Sequence, residues 1–268
     1  MILASRQLCQ RTALAVLLLG AAASPASAQW LPSIQGLLGR PWDDRGFFNV
    51  NFASQAADRR SIATDAFPLY QETAIFESTV NVSSAAALDV MGAWRLWRNL
   101  AVGLAYSRYS DSTDAVFAAS IPDPLVFDTP HPAGAVLGGQ SHRENAVHLS
   151  ALWMRPVTDK IDVAVFAGPS FILLSKDLVT GFDVVPGTSE LASIHTTRIS
   201  ETGTGGHIGF DVRYTIREDL NIFGFSRIRK LGAGIFVRYS AASVDANVQG
   251  GSIDLGGLNY GIGLRVGF

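Results

Sequence analysis

The last stretch of the chain, residues 252–268, alternates between two kinds of side chain. Its even positions are bulky and apolar: Leu258, Tyr260, Ile262, Leu264, Val266 and Phe268. Its odd positions are small or polar: Gly257, Asn259, Gly261, Gly263, Arg265 and Gly267. Because successive side chains of a β-strand point to opposite faces, this pattern predicts a strand that separates an apolar environment from a polar one.

The same alternation recurs upstream and, with the last stretch, predicts eight strands. The earlier segments are residues 46–55, 86–97, 100–110, 144–157, 161–174, 203–216 and 231–243. Short turns at 98–99 and 158–160 alternate with long connections, which is typical of an antiparallel up-and-down barrel, and an even strand count places both termini on one side. Ten strands is the alternative, if residues 70–82 pair independently and the connection 217–230 contains another strand.

Two long polar loops are predicted, at residues 111–140 and 175–202. The first contains Pro122, Pro124, Pro130 and Pro132, and proline cannot donate to a strand ladder. The same loop also holds a group of apolar residues that would form either a hydrophobic mouth or a packed loop hairpin. These residues are Val116, Phe117, Ile121, Leu125, Val126 and Phe127.

The N-terminal residues 1–28 have the features of a secretory signal peptide, in the expected order. Arg6 and Arg11 give a positive start, residues 13–23 form an apolar run too short to span a bilayer as a helix, and small residues precede a cleavage point after Ala28. Cleavage removes Cys9, the only cysteine, so we expect no disulfide, lipid anchor or thiolate metal site. Residues 29–45 are then a periplasmic segment, and 46–268 form the barrel.

The amino-acid composition limits the environments in which this barrel can lie. The net charge of −2 gives no electrostatic case for a nucleic-acid partner. Charged residues make up 16% of the chain, below the roughly 25–35% of a typical soluble surface. After the leader, the chain has no apolar run long enough for a membrane helix, which needs about 18 residues. Low charge without such a run favours a membrane barrel, whose apolar residues are dispersed by alternation.

The apolar face is predicted to point outward. A soluble lipocalin-type barrel would place that face inside, where eight strands leave little room for its aromatic side chains. These are Trp94, Trp153, Phe210, Tyr214, Tyr239, Tyr260 and Phe268. In the opposite orientation the small, glycine-rich face fits a narrow lumen, and the aromatic rings can lie at the membrane interfaces.

The leader, the strand series and the closing Leu264-Arg-Val-Gly-Phe268 resemble the small bacterial outer-membrane β-barrel family. That porin-like superfamily includes OmpW-like proteins and the membrane domains of OmpA-type proteins. The resemblance implies a monomer in a Gram-negative outer membrane, in contact with lipid and lipopolysaccharide. The chain departs from full-length OmpA-type proteins in that it ends at the barrel, so no peptidoglycan-binding domain is expected. The resemblance also implies an assembly signal that the barrel-insertion machinery reads. The residues of that signal are Tyr260, Ile262, Leu264, Val266 and Phe268.

Four acidic and four basic residues are predicted to face the lumen. They are Asp89, Glu144, Asp162, Asp211, Arg95, Arg213, Arg238 and Arg265. Unpaired charges in a low-dielectric interior cost several kcal/mol, so we expect these residues to pair. A static plug is favoured over a gated, charge-lined conduit, because eight strands leave space for side chains but not for a water column.

One enzymatic hypothesis and two weaker patterns remain. His148 and Ser150, with Asp162 on the next strand, resemble the His-x-Ser arrangement of barrel lipid A deacylases. Both residues are predicted on the lumen face, whereas a lipid substrate needs the outer face, so we expect no enzyme and no cofactor. His131, His142 and His195 lack metal-ligand spacing and are expected to be solvated loop residues. The glycines of residues 203–206 are expected in a strand rather than in a phosphate-binding loop.

Two functional classes therefore stay open. The first is a structural or surface-interaction protein that displays its loops from a plugged barrel. The second, proposed for OmpW-like barrels, is a passive carrier or narrow channel for small, mostly apolar molecules.

Overall fold

The computed structural model describes residues 41–56, 59–222, 225–246 and 251–268. The predicted signal peptide and most of the predicted periplasmic segment lie outside these residues. No helix among them is long and apolar enough to cross a membrane. The strands are β1 Gly46–Ala56, β2 Arg59–Leu69, β3 Glu72–Val82, β4 Ala85–Trp97, β5 Leu100–Ile121, β6 His131–Pro156, β7 Ile161–Val184, β8 Leu191–Ile222, β9 Phe225–Ala246 and β10 Gly251–Gly267.

Eight of these strands close into a ring. All neighbours pair antiparallel in the order β1-β4-β5-β6-β7-β8-β9-β10, and β10 pairs with β1 to complete the circle. The closing seam places Phe48 opposite Val266, Val50 opposite Leu264 and Phe52 opposite Ile262. The prediction of an eight-stranded, antiparallel, up-and-down barrel is confirmed.

Strands β2 and β3 form a hairpin outside this ring. Their two-residue turn, Tyr70 and Gln71, has positive φ at both positions, as a type I′ hairpin turn requires. Residues 75–80 of β3 pair with residues 115–120 of β5, above the point where β4 begins. Residues 70–82 therefore do contain a strand of their own, but this strand extends the extracellular wall and the ring is not ten-stranded.

The prediction of two long polar loops is wrong. Strand β5 continues to Ile121 and β6 starts at His131, with Pro132 opposite Ser120 in the ladder, while β7 and β8 leave only residues 185–190 between them. Beyond the membrane both faces of a strand can be polar, so the apolar alternation that identifies a strand disappears. Of the connection 217–230, residues 217–222 and 225–230 likewise form the ends of β8 and β9, which pair Leu220 with Ile228.

The two faces of the ring differ as the sequence predicts. On the outer face the apolar side chains are exposed, with Phe52 at 71% and Leu264 at 60% of their full accessibility. Their neighbours on the inner face, such as Asn51 and Arg265, are buried. An apolar outer band around a polar interior is the arrangement of a membrane barrel.

The interior is filled by alternating apolar and polar layers. The apolar layer nearest the periplasmic turns contains Phe47, Met91, Leu152, Met154 and Phe166. Polar layers follow toward the extracellular side, and a separate apolar cluster lies within the extracellular extension. The β6–β7 pairing is interrupted next to Pro169, between His148↔Ser170 and Ala151↔Ala167, and keeps the same register on both sides.

Candidate functional site

The centre of the lumen contains two buried ion pairs. Arg238 on β9 bonds to Asp89 on β4 at 2.5 Å, and strands β1 and β10 lie between these two strands in the ring. Arg265 on β10 bonds to Asp211 on β8 at 2.6 Å. Because their partners come from non-adjacent strands, both pairs connect separate parts of the barrel wall through its interior.

Asn51 joins these two pairs into one network. Its Nδ2 donates to Asp89 Oδ1 at 2.9 Å, and its Oδ1 accepts from Arg265 Nη1. The Arg238 guanidinium also lies 5.5 Å from the ring centres of Phe166 and Phe236, within the range of a cation–π contact. Each guanidinium is therefore held by several partners in a region that is closed to water.

A third charge cluster lies at the periplasmic end. Arg213 bonds both to Asp162 on the neighbouring strand and to Asp44, the latter at 2.7 Å. Asp44 lies in the segment predicted to be a periplasmic lead-in, and its inward position was not predicted. Arg95 is only partly buried and donates to the main-chain carbonyl of Trp42. Trp42 and Asp44 are thus buried inside the periplasmic end of the barrel.

Glu144 forms the uppermost polar layer of the ring. It accepts from the backbone N–H of Gly256 at 3.0 Å and from Gln55 Nε2 at 3.2 Å, and it bonds to His142 Nε2 at 2.8 Å. Strands β6 and β10 are diametrically opposite in the ring, so the bond from Glu144 to Gly256 spans the whole lumen. His142 is buried, which corrects the prediction that it is a solvated loop histidine.

A network of serines and histidines links the neighbouring strands β5 to β8 on the lumen side of the wall. Ser107 bonds to His148 Nε2 at 3.1 Å, and His148 Nδ1 bonds to Ser170 at 2.8 Å. Ser170 also bonds to His207 Nδ1 at 3.0 Å, and His207 Nε2 bonds to Ser150 at 2.8 Å. All five side chains are buried.

This arrangement differs from a nucleophile–base–acid triad. His148 and Ser150 have different partners, and the carboxylate of Asp162 is bound to Arg213 at a different level of the barrel. All five side chains of this serine–histidine network are buried, so Ser150 is not exposed to lipid. The geometry therefore supplies hydrogen bonds between strands rather than an activated nucleophile.

The extracellular extension has its own apolar core. Phe67, Phe76, Phe117 and Phe182, from four different strands, pack with ring centres 5.0 to 6.5 Å apart. Below them, a cavity beside Ser61 and Lys176 has a volume of about 10 Å³, too little for more than one water molecule. The extension therefore continues the packing of the lumen beyond the ring.

Three hairpin tips bond to one another above this core. Tyr70 Oη donates to the carbonyl of Thr188 at 3.0 Å, and Ser189 donates to the carbonyl of Pro122 at 3.2 Å. The N–H of Asp128 donates to Glu72 at 3.1 Å. These bonds fix the tips of β2–β3, β5–β6 and β7–β8 relative to one another.

Electrostatics in the extension stabilise local turns and pairs. The N–H of Leu125, and then His131 and the N–H of Val126, lower the pKa of Asp123. The Arg198 side chain donates to both oxygens of Asp177, at 2.8 and 3.1 Å, and lowers the pKa of that carboxyl. Both carboxylates are thus held in the ionised form outside the membrane.

The apolar residues predicted in the first long loop have different environments, and Val116 is exposed on β5. Phe117 and Ile121 are buried in the aromatic core of the extension, as a packed hairpin requires. Leu125 and Phe127, at the tip, are 88% and 68% exposed, and Val126 between them is also exposed. The structure therefore contains a packed hairpin with an apolar tip rather than an apolar mouth that opens into the lumen.

The remaining histidines and glycines have simple environments. His131 bonds to Asp123 and His195 bonds to Asp183, both at the extracellular surface. Within the described ranges, no group of three or more His, Cys, Asp or Glu residues is arranged to hold a metal ion. Gly203, Gly205 and Gly206 lie in β8, as predicted from the sequence.

The alternation of side chains in the sequence identified most of the charged residues of the lumen but not their polar partners. Asn51, Gln55 and Ser170 were missed, although they lie on the same alternating face as the predicted residues. These residues could have been identified from the sequence, because each is a polar side chain at an inward position of a strand with apolar outward positions. Asp44 lies before the first strand, where no such signal exists.

The ring, its apolar outer face and its ion-paired interior together define a transmembrane β-barrel protein with a filled lumen. No family model matches the chain. No curated protein matches it either.

Solved structures that resemble this chain do so at low sequence identity. The outer membrane protein OprG from Pseudomonas aeruginosa is 13% identical, with a TM-score of 0.43, over 86% of this chain and 98% of OprG. Neisserial surface protein A is 13% identical, with a TM-score of 0.37, over 83% and 97%. The outer membrane protease OmpT from Escherichia coli is 11% identical, with a TM-score of 0.37, over 83% and 97%.

Proposed function

We propose that this protein is a structural barrel of a Gram-negative outer membrane, which displays a rigid extracellular extension for envelope or surface contacts. In this proposal the leader is removed, the lumen is permanently plugged and the barrel is a monomer surrounded by lipid and lipopolysaccharide. The observation that supports it best is the bond across the lumen between Glu144 and Gly256, on opposite walls of the ring.

The energetics of the lumen favour a static plug over a gate. Opening a water path requires the separation of Asp89 from Arg238 and of Asp211 from Arg265, all in a narrow interior. A buried charge that loses its partner costs about 3–5 kcal/mol. Two such separations would make an open state rare unless a ligand stabilised it.

Conductance in planar lipid bilayers tests the plug directly. We expect no steady ion current from the wild-type barrel, because the polar layers hold opposite walls together. A steady current that is lost in the Arg238→Ala variant, and is kept in the control Arg198→Ala on the extracellular surface, would show a charge-lined conduit instead.

A passive carrier for small apolar molecules is the alternative function. The observation in its favour is the exposed apolar tip formed by Leu125, Val126 and Phe127, beside the aromatic core of the extension. Titration with a panel of small apolar compounds separates the two functions. A saturable change in tryptophan fluorescence supports a carrier, and no response to any compound supports the structural role.

A lipid A-modifying enzyme is the remote alternative. It would use Ser150 as nucleophile, His148 as base and Asp162 as the orienting acid. The hydrogen bonds of Ser150 to His207 and of Asp162 to Arg213 count against it. We expect lipid A from cells that express the protein to keep its acyl chains, whereas loss of a chain that Ser150→Ala prevents would support the enzyme.

A further inference from the structure

The outer wall of the barrel has an apolar groove near its periplasmic end. The groove is centred on Gly92 of β4, which lies between Phe48 of β1 and Leu104 of β5 in the sheet. It has a volume of about 410 Å³, and its lining is apolar. The groove is a gap in the apolar band, at a position where adjacent strands carry large side chains.

Backbone packing does not require glycine at this position. A Cβ on Gly92 would have the Phe48 ring as its nearest neighbour, at 3.9 Å, which is an ordinary contact distance. Gly103, which also borders the groove, is different, because a Cβ there would come within 2.8 Å of Leu152. A larger side chain at position 92 would therefore fill the groove without forcing the strands apart.

Two aromatic rings lie at the periplasmic end of the groove, next to the backbone of Arg45. Trp94 and Phe268 line it, with ring centres 5.8 Å apart. The backbone N–H of Arg45 donates to the carbonyl of Phe268 at 2.6 Å, and the carbonyl of Arg45 accepts from the N–H of Arg95 at 2.8 Å. Arg45 is exposed, and its backbone is bonded to Phe268, one of the residues that line the groove. The apolar groove thus ends next to the backbone of an exposed arginine.

We propose that this groove is a binding site for one glycerophospholipid of the periplasmic leaflet. One acyl chain lies along Gly92 between Phe48, Trp94 and Leu104, and the phosphate contacts Arg45. An acyl chain fits because Phe48, Trp94 and Leu104 belong to the lipid-facing band, and an anionic headgroup fits because the nearby exposed residue Arg45 is cationic. The inference rests on the membrane orientation in the proposed function but not on whether the lumen conducts.

The test uses the purified barrel in detergent, delipidated and then titrated with phosphatidylglycerol, with bound lipid counted by native mass spectrometry. We expect the wild type to retain one lipid and Gly92→Trp to bind at least about tenfold more weakly, since two lost CH₂ contacts are enough for that change. Gly206→Trp is the matched control, because Gly206 is also exposed on the outer face and has space for a side chain.

A second variant separates the headgroup from the chain. Arg45→Gln should weaken the binding of phosphatidylglycerol but leave that of uncharged diacylglycerol unchanged. If Gly92→Trp does not fold, Gly92→Leu fills the same space with a smaller side chain. Equal lipid retention by wild type, Gly92→Trp and Gly92→Leu overturns the proposal, and so does a groove that is occupied by a second copy of the chain in cross-linking.

Discussion

Gly256 shows how a single backbone position connects two walls of the barrel. Its φ of +89° is in the left-handed region, and a Cβ there would lie 2.4 Å from the carbonyl oxygen of Ser240. This conformation makes both peptide groups available to the lumen, because its N–H donates to Glu144 and its carbonyl accepts from Gln55. Only glycine meets both demands without strain.

Replacement of this glycine should therefore destabilise the barrel. We expect Gly256→Ala to lower the free energy of unfolding by about 1–3 kcal/mol, the usual cost of a strained backbone position. Urea unfolding of the barrel in detergent measures this change. The folded fraction is read by gel electrophoresis, in which the folded barrel and the heat-unfolded chain have different mobilities. Gly206→Ala is the control and should be close to neutral, because its Cβ meets no atom within 3.4 Å. Equal stability of the two variants would contradict the assigned role of Gly256.

The central ion pair allows a double-mutant test at the same scale. Arg238→Met should destabilise the barrel by about 3–5 kcal/mol, because it leaves Asp89 buried without its guanidinium. The double variant Asp89→Leu/Arg238→Met should recover most of this loss, since neither charge remains. Urea unfolding in detergent measures the free energy of unfolding of both variants. If the double variant is no more stable than Arg238→Met, the two residues do not act as a pair.

Among the elements, the β2–β3 hairpin and the upper halves of β5 to β8 form a unit that the ring does not need for closure. The hairpin is attached to β5 by strand pairing and to β7 by the contact of Phe67 with Phe182. We expect the aromatic cluster to contribute to the stability of this unit and the effect of its disruption to be local.

Phe76→Ala tests this division. Removal of a fully buried phenylalanine costs about 3–5 kcal/mol, so we expect faster hydrogen exchange in residues 59–82 and in the upper part of β5. Exchange in the membrane-embedded strands should not change. Phe127→Ala, at the exposed tip, is the control and should leave both regions unaffected. Loss of protection throughout the ring would show that the two parts unfold together.

Acid should loosen the extension through Asp177. Its pKa is lowered by Arg198, so its contribution to stability is complete above the unfolded pKa of about 3.9 and is lost as the pH falls through the folded value. We expect proteolysis of the extension to increase below about pH 4. Asp177→Asn should increase it at neutral pH and reduce the dependence on pH. An unchanged pH profile in this variant would exclude the pair as the cause.

These elements also show what the sequence could predict. Within the membrane, lipid on one side and a polar lumen on the other require apolar and polar side chains to alternate along a strand. Strands such as β10, and the inward position of residues such as Asp89, were therefore predicted. In the extension the outer face is in contact with water, so polar residues such as Thr197 or Ser112 are compatible with either a loop or a strand. The sequence pattern therefore does not distinguish the two there. The partner of each lumen charge depends on the relative height of non-adjacent strands, and no local pattern contains that information.

At the scale of the whole molecule, one orientation accounts for the fold and for the proposed plug. Apolar side chains face the lipid, and glycines, amides and ion pairs face the axis. The reverse orientation would expose Arg265 to acyl chains, at a cost of about 2–4 kcal/mol near the midplane. Among the described residues, each strand of the ring pairs with a neighbour on both sides, so no open strand edge lies within the membrane, where one could not be tolerated.

The most direct test of this orientation is a spin-label scan of β10 in liposomes. Single cysteines are placed at positions 258, 259, 260, 262, 264 and 265, labelled, and measured for collision with oxygen, which concentrates in the bilayer. Gly261 and Gly263 are left unchanged, because a Cβ at either would lie within 2.4 Å of a backbone oxygen of β1. We predict high oxygen accessibility at 258, 260, 262 and 264 and low accessibility at 259 and 265. A flat profile, or maxima at the odd positions, would contradict the account.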